Sequence, residues 1–123
     1  MHSQRLLEHF QNPRNVGHLP PPAVTADVSN PACGDMLRLS ARFENGTVAE
    51  VRYQVRGCTA SIAAGSALTE WMAGKSRDEL KTLTPAILEE LVGGLEPASK
   101  HAAILCLDGL KRLLARSEVS LET

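Results

Sequence analysis

Leu37-Arg38-Leu39-Ser40-Ala41-Arg42-Phe43, the tripeptide Glu44-Asn45-Gly46, and Val48-Ala49-Glu50-Val51-Arg52-Tyr53-Gln54-Val55 follow one another almost without a break. Leu37, Leu39, Ala41 and Phe43 alternate with polar or small residues. Val51, Tyr53 and Val55 do the same, and Val48 joins them after one slip near Glu50. Alternation with a period of two marks strands that bury one face. Asn45-Gly46 tolerates the positive φ of a tight hairpin turn, so the two runs are predicted to pair antiparallel. Upstream, Val24, Ala26 and Val28 alternate in the same way and supply a third strand. Downstream the period changes. Cys58 to Ala73 is rich in alanine, lacks proline and is followed by Gly74, which predicts a helix. Its small residues suit close packing on the sheet.

The outer segments read as helices. Ser3 to Phe10 places Leu6, Leu7 and Phe10 on one side and ends before Pro13, because a residue that precedes proline avoids the helical region. Gly17 to Pro22 is predicted to be an extended connector. Ser76 and Glu79 form a capping box, and Thr84-Pro85 starts a helix that stops at Gly93-Gly94. A last helix begins near Ser99, with Ala103, Cys106, Leu107, Leu110, Leu113 and Leu114 as its apolar stripe. The order predicts the α+β class: a three-stranded antiparallel sheet with helices packed on it.

A length of 123 residues corresponds to one domain, 1–123. Thirteen basic and fourteen acidic residues give a net charge of −1, without the basic excess of a nucleic-acid binder. Four aromatic residues are too few for a base-stacking platform. Three cysteines with no C-x-x-C pair argue against a disulfide framework and for a reducing, cytoplasmic setting. The N-terminus has no apolar signal core, and the longest apolar run, Ala102 to Leu107, falls far short of the ~20 residues of a membrane span. No membrane association is expected, and homo-oligomerisation is left open.

Three places set metal-ligand side chains at the ends of predicted elements. Cys33 and Asp35 lie in Asn30-Pro31-Ala32-Cys33-Gly34-Asp35, a turn between the first two strands. Cys58 stands where the third strand meets the alanine-rich helix, at an N-terminus that favours negative charge. His101 falls in the first turn of the last helix. Two thiolates, an imidazole and a carboxylate complete a tetrahedral set for zinc, and they also suit a loosely held iron–sulfur cluster. Spacing alone does not decide the matter, since a free cysteine is most often a small buried hydrophobe. His2, His9 and His18 are expected to be solvated or capping residues, and Lys100 a solvated lysine.

Asn30 to Asp35, Gly57-Cys58-Thr59-Ala60-Ser61 with Ser66, and the opening His9-Phe10 to Asn12-Pro13-Arg14-Asn15-Val16-Gly17 together resemble the iron–sulfur cluster assembly scaffold family (IscU, SufU and the N-terminal domain of NifU). The resemblance runs from Leu6 to Leu114. It implies a non-enzymatic α+β protein that accepts sulfur from a cysteine desulfurase, builds a labile cluster of the 2Fe–2S type and delivers it to recipient apoproteins. Some members of the family hold zinc at the same site. Carried over by motif, Cys33, Asp35 and Cys58 are cluster or metal ligands, and His101 matches the family's histidine.

Two positions depart from the family pattern. Ala102 stands where the resemblance places the last cysteine, the family's main sulfur acceptor. Leu95-Glu96-Pro97-Ala98-Ser99 replaces the proline-rich element by which some members bind a dedicated chaperone. Cys106 does not fill the gap. On an ideal helix it lies about 140° around and ~7.5 Å along from His101, within the apolar stripe. The expected function is a scaffold or carrier for a cluster or zinc. The alternative is a zinc-dependent sulfur acceptor working with a cysteine desulfurase.

Overall fold

The structure is a computed structural model that describes residues 2–30 and 34–122, with the backbone alone from 118 onward. Its elements follow the predicted order: α1 (Gln4–Gln11), β1 (Val24–Asn30), β2 (Asp35–Glu44), β3 (Thr47–Arg56), α2 (Thr59–Met72), α3 (Arg77–Leu80), α4 (Pro85–Leu91) and α5 (His101–Glu122). The strands form one antiparallel sheet in the order β1-β2-β3. The hairpin turns on Asn45 and Gly46, with φ of 54° and 80°. The slip near Glu50 is real. Arg42 pairs with Glu50 but Phe43 pairs with Val48, so Ala49 is left over in a bulge.

One face of the sheet is covered by helices. Ala26, Leu37, Leu39, Val51 and Tyr53 point into a core shared with Ala60, Ala64 and Leu68 of α2 and with Ala103, Cys106, Leu110 and Leu113 of α5. The alanine-rich sequence of α2 has a direct reason. A Cβ at Gly65 would sit 2.5 Å from the Tyr53 ring, and the Tyr53 hydroxyl donates to the Ile62 carbonyl at 2.8 Å. Only a helix with almost no side chains on that face can lie so close to β3. The capping box at Ser76 and Glu79 and the Thr84 cap both form as predicted.

Three local expectations are corrected. The last helix starts at His101, because the residues before it form a short 3-10 turn, Pro97–Ser99, in which Ser99 N–H donates to Glu96 O at 2.8 Å. The connector ends in a turn at Pro21-Pro22, closed by Ala23 N–H donating to Pro20 O at 3.1 Å; at its start Tyr53 N–H donates to Asn15 O and Gly17 N–H to Tyr53 O, both at 2.9 Å, which adds a short parallel bridge beside β3. His9 is neither frayed nor solvated. It is 7% exposed, and its Nδ1 lies 2.7 Å from Ser66 Oγ, which also accepts the Arg14 N–H at 2.9 Å. One buried hydroxyl on α2 thus fastens α1 and the loop after it. His18 reaches Ser40 Oγ at 2.9 Å, and Lys100 pairs with Glu89 at 2.8 Å. Among the described residues no helix is long and apolar enough to cross a membrane.

Candidate metal centre

Three elements meet where the sheet, α2 and α5 come together. Asp35 is the first residue of β2, paired with Asn30 across the β1–β2 ladder, and its side chain points to the core side of the sheet with 5% exposure. Cys58 is the N-cap of α2, in extended backbone (φ −77°, ψ 169°), and its thiol takes no part in capping the helix. His101 is the first residue of α5. Residues 23 and 43 positions apart in the chain thus become neighbours.

The distances are short. Cys58 Sγ lies 3.5 Å from Asp35 Oδ2 and 3.5 Å from His101 Nε2, and His101 Nε2 lies 3.3 Å from Asp35 Oδ2. All three ligand atoms fall within 4.8 Å of one another. Thiolate sulfur, imidazole nitrogen and carboxylate oxygen form a mixed donor set that zinc and iron both accept.

Asp35 is held in place by residues with no metal-binding chemistry of their own. Ser61 Oγ donates to Asp35 Oδ2 at 2.5 Å from a fully buried position one turn into α2. A Cβ at Gly57 would stand 2.6 Å from Asp35 Cγ, so only glycine leaves room for the carboxylate. Burial pushes the Asp35 pKa up. Hydrogen bonds from Ser61 and from the Cys58 thiol and backbone N–H, with His101 nearby, outweigh it and hold the carboxyl below its ordinary value. It is a carboxylate at neutral pH.

Of the four sequence-predicted ligands, the structure brings Asp35, Cys58 and His101 together. Cys33 lies outside the described residues, two positions before Asp35 in the chain. Cys106 is fully buried in the core, and burial pushes its thiol pKa up to about 12. Ala102 is fully buried as well. Gly57 and Ser61 belong to the motif around Cys58, and it is the structure that shows their place against Asp35. The available signal was the spacing: Ser61 follows Cys58 by three residues, so the two share a helix face. A surface groove of about 580 Å³ between β1 and α5, lined in part by Asp27, Met36, Lys111 and Arg112, contains none of the three ligand residues.

Comparison with known proteins finds relatives over most of the chain. The model of the NifU-like N terminal domain family matches residues 1–118. The iron-sulfur cluster assembly scaffold protein IscU of Azotobacter vinelandii is 37% identical over 115 residues, 89% of this chain and 88% of that protein. The IscU of Escherichia coli K12 is 35% identical over 119 residues, 93% of this chain and 91% of that protein. An Archaeoglobus fulgidus protein with the same description is 34% identical over 114 residues, 93% of this chain and 74% of that protein. The crystal structure of an N-terminal NifU-like protein from Brucella abortus superimposes with a TM-score of 0.76 at 20% identity, covering 95% of this chain and 94% of that one. At that identity the likeness carries the fold alone.

Proposed function

The chain belongs to the NifU-like N-terminal domain family, and from that premise we propose that it is a non-enzymatic iron–sulfur cluster assembly scaffold or carrier. A cluster of the 2Fe–2S type is its cargo. The residues that would hold it are Cys33, Asp35, Cys58 and His101, within one domain spanning 1–123. The observation that carries the reading is the convergence of a thiol, a carboxylate and an imidazole from three separate elements. Its sulfur would come from a cysteine desulfurase, its cargo would pass to recipient apoproteins, and its setting would be the cytoplasm. The mixed ligand set suits transfer, because oxygen and nitrogen ligands are replaced more readily than a fourth thiolate would be. Anaerobic reconstitution with iron, sulfide and thiol is expected to give charge-transfer absorption in the visible range, which Cys58→Ala abolishes. A colourless protein without bound iron overturns the reading.

A second reading uses the same four residues. Cys106 is buried in the core, away from the site, and a thiol, carboxylate and imidazole converging as Cys58, Asp35 and His101 do are donors zinc accepts well. In this reading zinc fixes the site, and a freed thiolate attacks the outer sulfur of the desulfurase persulfide, expelling the desulfurase cysteine as thiolate. Stimulation of a desulfurase by the zinc form and not by the cluster form selects it.

A further inference from the structure

We propose that Ser61 is a positioning residue of the site: its hydroxyl holds the ligand-facing oxygen of Asp35, and this sets how tightly metal is bound. The inference rests on the reading of Asp35, Cys58 and His101 as ligands. A serine inside a helix commonly points to solvent or bonds back to a carbonyl one turn earlier. Ser61 does neither. It is fully buried, it donates to Asp35 Oδ2 at 2.5 Å, and it lies 3.4 Å from Cys58 Sγ. The oxygen it holds is the one that faces the site, 3.3 Å from His101 Nε2 and 3.5 Å from Cys58 Sγ. Gly57 packs directly against the carboxylate, where a Cβ would come within 3 Å of Cγ and both oxygens. The carboxylate is therefore closely packed by backbone and held by a hydroxyl. Hydrogen-bond partners of ligating carboxylates orient them, and removing such a partner typically weakens metal binding by roughly 10–100-fold.

The test is a double-mutant cycle on the full chain, with zinc and cobalt(II) as probes. Ser61→Ala is expected to weaken zinc binding by about 10-fold or more. Its cobalt form keeps the thiolate charge-transfer band, because Cys58 still binds, while the ligand-field bands shift. In an Asp35→Ala background, Ser61→Ala changes zinc affinity no further, because there is no carboxylate left to position. Ser61→Thr, which keeps the hydroxyl, restores the affinity. Two results overturn the proposal: wild-type affinity in Ser61→Ala, or the same loss with and without Asp35, which is the mark of a merely structural serine. A wild-type chain that binds neither zinc nor cobalt overturns the ligand reading itself, and the inference with it.

Discussion

Cys58 and Cys106 carry the same functional group into opposite surroundings. Cys58 is exposed at a helix end beside a carboxylate and an imidazole, whereas Cys106 is enclosed by core residues with its thiol pushed up to about 12. Cys106→Ala is therefore expected to leave zinc stoichiometry unchanged and to cost about 1 kcal/mol, the scale of a small core truncation. Metal analysis and urea unfolding of the variant check both halves, with Cys58→Ala as the variant that loses metal. The helical spacing of the last stripe was enough to separate the two thiols, because a face repeating every three or four residues is a local property. The role of His9 was not readable in that way. Its partner Ser66 lies 57 residues away, and only the packing of α1 on α2 reveals it. Ser61 falls between these cases: it was visible beside Cys58 in the motif, but its acceptor Asp35 belongs to β2, 26 residues earlier.

At the scale of elements, the fit of α2 on β3 is the tightest described contact involving a helical glycine. Alanine at position 65 gains about 1 kcal/mol of helix propensity over glycine. Its Cβ, however, meets the Tyr53 ring at 2.5 Å, and that ring cannot slide away while its hydroxyl is bound to Ile62 O. Overpacking of this kind costs ~1–3 kcal/mol. Gly65→Ala is expected to lower stability by up to about 2 kcal/mol in denaturant titration, with an unchanged m-value. Stability equal to or above wild type would mean that the helix rides higher over the strand. The hairpin, the capping box and the Thr84 cap were all legible because turn and cap chemistry lies in neighbouring residues. The first turn of α5 and the bridge at Asn15 to Gly17 were not. The former is a backbone choice between 3-10 and α spacing, and the latter depends on where β3 lies in space.

For the molecule as a whole, α1 docks through a titratable group. Burial holds the His9 pKa below its ordinary 6.5, Arg14 lowers it further, and Glu70 and Glu8 pull it back in part. The folded state thus keeps His9 neutral, and the unfolded chain takes up the proton first. Its stabilising contribution is complete above pH 6.5 and is lost as pH falls through the lower folded value. Thermal melts from pH 7 down to about pH 5 are expected to fall more steeply for wild type than for His9→Gln, and parallel curves would show that His9 contributes nothing. The meeting of β2, α2 and α5 has its own consequence. Asp35, Cys58 and His101 are neighbours only in the folded chain, so whatever all three hold together ties its own occupancy to folding. A guest present at 100 times its Kd adds about 2.7 kcal/mol to the stability of the folded molecule, which melts at a correspondingly higher temperature while it is loaded.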